Sequence, residues 1–81
     1  MKYDRGVVKG ALKDAYSKLK ITGQPAEIHD YRQNIVKVLT QDNIIAKLWK
    51  PQTYGLFYSR CGKFKISSEH WTDRLVISYV S

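Results

Sequence analysis

Arg5, Lys9 and Lys13 recur every fourth residue, and Lys20 follows two turns later. If this segment is helical, at ~100° per residue these four cations fall within about 80° of one another. Tyr16 then sits at the seam between that strip and the apolar side. Like charges at i and i+4 cost a helix a few tenths of a kcal/mol per pair. No Asp or Glu stands at the intervening i+4 positions to offset that cost. The chemistry such a strip offers is capture of a polyanion, and the competing reading is a solvated face kept for solubility. Gly6 and Gly10, one turn apart beside the strip, would either admit a bulky backbone or pack on a neighbouring element.

A second set interleaves cations with aromatic rings. Residues 54–60 and 63–66 flank Cys61-Gly62 and read as a hairpin with a tight turn. In that register Tyr58 faces Lys65 and Arg60 faces Lys63, so all four share one face. Lys37, Lys47 and Trp49 share a parity in a preceding β-prone stretch and are expected on the same side. Rings between cations suit single-stranded nucleic acid, the rings stacking on bases while ammonium groups follow phosphates. The plainer reading is an exposed sheet face whose lysines block edge-to-edge aggregation, with Trp49 in the core beneath the first helix.

Catalytic readings fare worse. His29 and His70 stand far apart in sequence with no cluster of metal-ligating types near them, so neither a zinc site nor any cofactor is expected. His70, Tyr58, Arg60 and Lys63 together would suffice for a metal-independent ribonuclease, but nothing in their spacing fixes that geometry. Cys61 is the lone cysteine, so no disulfide framework exists. Its cationic neighbours Arg60 and Lys63 would favour the thiolate, but no histidine base is placed beside it.

The elements that must position these residues follow from periodicity. Asp4 can cap a helix running to about Lys20, with Val8, Ala11, Leu12, Ala15 and Leu19 forming one apolar stripe. Gly23 and Pro25 end it. Residues 27–33 read as an irregular or edge strand. The β-branched runs 34–40 and 44–50, around Gln41-Asp42-Asn43, predict a hairpin, and residues 51–53 predict a turn. Ser67-Ser68-Glu69 offers a cap for a short C-terminal helix in which Trp71, Leu75 and Tyr79 are spaced four apart. The rival reading makes residues 74–80 a last strand. The expected architecture is α+β, with residues 1–81 one small domain: an N-terminal amphipathic helix packed on a small antiparallel sheet of hairpins, and a short C-terminal helix.

Composition bounds the rest. The chain has 81 residues, 43% of them apolar, and a net charge of +7, too apolar for a disordered tail and too short for two cores. Residues 1–20 carry six cations against two carboxylates, which concentrates the positive field there. No long apolar run suggests a leader or a membrane span, and the expected compartment is a reducing cytoplasm.

The back half, from Asn34-Ile35-Val36-Lys37-Val38-Leu39 through Asn43-Ile44-Ile45-Ala46 and Cys61-Gly62-Lys63-Phe64 to Ser67-Ser68 and Arg74-Leu75, resembles small phage-encoded orphan proteins. A lysine interrupts the Gly-aromatic step of that pattern, and Val76 replaces the Asn that usually follows Arg-Leu. The resemblance implies a phage or mobile-element source, and with it a role in host-directed inhibition. Two expectations follow. The first is a non-enzymatic basic binding module whose partner is DNA, RNA or a nucleoprotein complex. The alternative is a phage inhibitor, such as an anti-CRISPR, that binds an acidic surface of a host protein directly.

Overall fold

The computed structural model describes residues 4–53, 55–68 and 74–80. Asp4 starts the first helix: its extended backbone leaves the carboxylate free to accept from the N–H groups of Gly6, at 2.9 Å, and Val7, at 3.3 Å. Helix α1 runs Arg5–Thr22 and ends where Gly23 takes a left-handed conformation at φ 72°, its N–H donating to the Leu19 carbonyl. Only glycine adopts that angle without strain, which makes the stop local and sequence-encoded.

Five strands form one antiparallel sheet: β1 Ala26–Ile28, β2 Trp49–Thr53, β3 Leu56–Ser59, β4 Phe64–Ser68 and β5 Leu75–Tyr79. Their order is β1-β5-β4-β3-β2, so strands β2 to β5 make a meander and β1 closes its far edge. A second helix, α2 (Arg32–Gln41), and a single 3-10 turn, Ile45–Lys47, carry the chain from one edge of the sheet to the other.

Cross-strand register assigns the two faces of the sheet. Ala26, Ile77, Ile66, Phe57 and Pro51 stand opposite one another across the five strands. All but Pro51 are buried, and they share one core with Val8, Ala15 and Leu19 of α1 and Ile35, Val38 and Leu39 of α2. Ala11 and Leu12 pack against its margin. Both helices therefore cover the same face. Burying each of these larger side chains contributes roughly 1.5–3 kcal/mol.

The α+β class, the long first helix with its Asp4 and Gly23 ends, and the β3–β4 hairpin agree with the sequence expectations; other segments differ. Of the expected strand 44–50 only Trp49 and Lys50 lie in β2, with Ile45–Lys47 forming the 3-10 turn. Of residues 27–33, Glu27 and Ile28 lie in the edge strand β1 while Arg32 and Gln33 open α2. Residues 34–40 are helical, because Ile35, Val38 and Leu39 lie one turn apart and all three are buried; that burial outweighs β-propensity. Residues 51–53 continue β2 instead of turning. Pro51 is tolerated because β2 is an edge strand, and the register shifts between Pro51 and Thr53. In place of a C-terminal helix, Leu75–Tyr79 is an interior strand bonded to β1 and β4. Leu75 and Ile77 are buried while Val76 and Ser78 lie on the other face, which is period two. Residues 69–73, where that helix was expected to begin, lie outside the described residues.

Candidate functional site

Two surfaces gather the residues singled out in the sequence. The first is a cleft of about 490 Å³ on the helical side of the sheet. Lys9, Leu12, Lys13 and Tyr16 of α1, spaced so that they fall along one side of the helix, form one wall. Ile45, Leu48 and Trp49 form the second. Ser59, Arg60, Cys61 and Phe64, around the β3–β4 turn, form the third, and Ile77 adds apolar lining. The N–H of Arg60 donates to the carbonyl of Leu48 at 2.9 Å, which ties the second wall to the third.

A buried carboxylate ties the second wall to the first. Asp42, only 3% exposed, accepts from the N–H groups of Ile44 and Ile45 through Oδ1, at 2.9 and 3.0 Å. Its other oxygen meets Lys9 Nζ at 2.9 Å. The Ile45 N–H first, then the Lys9 ammonium and the Ile44 N–H, hold the Asp42 carboxyl far below its ordinary value of 3.8. Lys9 is thus an internal partner, and the expectation of an uninterrupted cationic strip is corrected. The offsetting acid comes from the end of α2, outside the i+4 positions of α1. Of the remaining strip residues, Arg5, Lys13 and Lys20 are exposed, and the Lys20 ammonium lies 5.2 Å from the centre of the Tyr16 ring. The Tyr16 ring in turn meets Phe64 edge-on at 5.1 Å.

The second surface is the sheet face that no described helix covers. Lys50, Tyr58, Lys65 and Ser78 stand directly opposite one another across β2 to β5. Directly opposed residues point to the same side, so a ring lies between two ammonium groups. The Tyr58–Lys65 pairing agrees with the sequence register. Their expected companions are distributed differently. Trp49 lies on the helical side, half-buried against the core, because β2 begins there and its parity is one off. Lys47 belongs to the 3-10 turn and Lys37 to α2, so neither is on the sheet. Arg60 lines the cleft, and Lys63 is exposed at the turn.

Lys50 and Asp42 were missed in the sequence. Lys50 precedes a proline, a position biased to extended backbone, and that signal places it in a strand. Asp42 has no comparable local signal, since its partner Lys9 lies 33 positions away.

Cys61 is exposed. Ser59 Oγ lies 3.3 Å from its sulfur and accepts from the Phe64 N–H at 3.0 Å; once the thiol ionises, the hydroxyl is the group of the two that can donate. That hydrogen bond first, then the Lys63 backbone and charge, lower the thiol from its ordinary 9.0. His29 Nδ1 is 3.1 Å from Glu27, which also takes Arg74 at 2.7 Å. That group lies at β1 and just before β5, outside the cleft lining, and His70 lies outside the described residues. Among the described residues no cluster of three metal-ligating types forms, and no helix is long and apolar enough to cross a membrane. No family model, curated protein or solved structure matches the chain.

Proposed function

We propose that this protein is a non-enzymatic binding module that takes single-stranded nucleic acid on its open sheet face, acting in the cytoplasm. The observation that supports the reading is the register-locked row Lys50–Tyr58–Lys65, an aromatic ring held between two cations on a face that no helix among the described residues covers. Base–aromatic stacking is sequence-tolerant and contributes about 1–3 kcal/mol per base. The positive excess of the chain adds non-specific attraction and speeds encounter. Much of the negative charge is already engaged: Asp4 and Asp30 cap backbone N–H groups, while Glu27 and Asp42 sit in ion pairs.

Titration of a labelled single-stranded oligonucleotide against its duplex at about 50 mM salt tests the proposal, since contacts to phosphate are strongest there. The single strand should bind more tightly, and Tyr58→Ala with Lys65→Ala should weaken it. Equal binding by the double variant, or none by the wild type, overturns the reading. The alternative, an inhibitor that engages a host protein directly, predicts a partner that survives nuclease treatment in a pull-down. A partner bridged by nucleic acid is lost.

A further inference from the structure

The cleft is a different kind of surface from the open sheet face. Its lining is mostly apolar, its mouth is basic, and its three walls are fastened to one another through Asp42 and through the Arg60–Leu48 bond. At 490 Å³ it falls within the roughly 300–1,000 Å³ of pockets that enclose a compact group. Apolar surface also continues outside it. Leu48 lines the cleft yet is 57% exposed, and Ile44, one residue before the lining residue Ile45, is 69% exposed. A small molecule held in the cleft would leave that apolar margin in water; a length of polypeptide crossing it would not.

Charge selects the polypeptide. Lys13 and Arg60, from different walls, are both exposed and make no ion pair among the described residues. The Lys9 charge beside them is already spent on Asp42. A partner seated here therefore brings carboxylates to Lys13 and Arg60 and a large apolar side chain to the cleft lined by Trp49 and the packed Tyr16–Phe64 pair. We propose that the cleft is a docking site for an acidic peptide segment of a partner protein, anchored by one leucine, phenylalanine or tryptophan side chain. An anchor in a desolvated pocket with charged groups at the rim is the usual anatomy of a small recognition site.

The test uses the full chain and synthetic acetylated peptides with a central Leu, Phe or Trp flanked by Asp and Glu. The controls carry Asn and Gln in place of the acids, or Ala in place of the anchor. Each control should bind about tenfold more weakly or worse. Leu48→Asp and Arg60→Glu change exposed residues, so circular dichroism should show the fold retained while peptide affinity falls by about tenfold or more. Amide shifts on titration should cluster at Ile45, Leu48 and Arg60. Tyr58→Ala with Lys65→Ala should leave peptide affinity unchanged, so failure of the open-face reading and failure of this one are separable. Indifference to the acids or to the anchor overturns the proposal. So does an aromatic carboxylate such as indole-3-acetate binding more tightly than every peptide, or a single-stranded oligonucleotide whose affinity falls with Leu48→Asp.

Discussion

Lys9 Nζ and Asp42 Oδ2 are 2.9 Å apart, and the same carboxylate caps the 3-10 turn through its other oxygen. One buried group thereby fixes the long helix to the segment that enters the sheet, and with it the width of the cleft. Without the Lys9 cation the carboxylate would keep its two backbone N–H donors but lose the opposite charge that helps to offset its burial.

The pH dependence of stability follows from that pair. The folded-state pKa of Asp42 is depressed, so its contribution is full above about pH 5 and is lost as pH falls below 3.8 toward the depressed folded value. Asp42→Asn keeps an oxygen for the turn and removes the charge. Thermal unfolding should show the variant several degrees less stable than wild type at neutral pH, with the gap closing in acid. A gap that stays constant between about pH 7 and pH 2 contradicts the assignment.

Salt separates internal cations from available ones. Lys65→Ala should reduce the slope of log K against log salt for a single strand by about 0.7, one phosphate contact. Lys9→Ala should leave that slope unchanged and lower the melting temperature, because it strips the counter-charge from Asp42. Measuring both quantities for both variants reverses the functional weight that spacing alone assigns to Lys9.

Glycine substitutions should have opposite signs at two positions. A methyl at Gly10 meets nothing within 4 Å, so Gly10 does not pack on the sheet. Gly10→Ala should stabilise by about 0.5–1 kcal/mol, which in a domain this size is a few degrees of melting temperature. Space is equally open at Gly23, but its φ of 72° strains any L side chain, and Gly23→Ala should destabilise by about 1 kcal/mol. Calorimetry on the pair separates backbone strain from crowding.

The sequence carried the fold where a local device fixed an element. Asp4 and Gly23 bound the first helix, and Cys61-Gly62 set the hairpin register so that Tyr58 met Lys65. Legibility failed where burial decided. Ile35 and Val38 are β-branched, yet the spacing of three and four from Ile35 to Val38 and Leu39 matches the face that α2 buries. The spacing of four from Leu75 to Tyr79 is an even number, so it suits one side of a strand as well as one side of a helix. Ile77, buried between them, decides for the strand. For the candidate sites, residues on one element were readable, but the convergence of Lys13, Trp49 and Arg60 on one cleft depends on how α1 lies across the sheet. No spacing reports that.

Cys61 tests the local electrostatics of the third cleft wall. The thiolate is the reactive form, so the rate of alkylation by iodoacetamide against pH reports the thiol's titration. Its midpoint should lie below 9.0, because the Ser59 hydroxyl donates to the sulfur and Lys63 adds its backbone and charge. Ser59→Ala removes the largest contribution and should move the midpoint upward, slowing alkylation at neutral pH. Ser59→Thr restores the hydroxyl and should return it. That rescue distinguishes the hydrogen bond from disturbance of the turn, since Ser59 also accepts from the Phe64 N–H. Lys63→Ala should give a smaller upward shift, and added salt should shrink it further, because an exposed charge is screened whereas the hydroxyl contact is not. A Ser59→Ala midpoint equal to wild type would show that the hydroxyl proton points elsewhere, and that the thiolate at the cleft wall is stabilised by Lys63 and the backbone N–H groups of the turn.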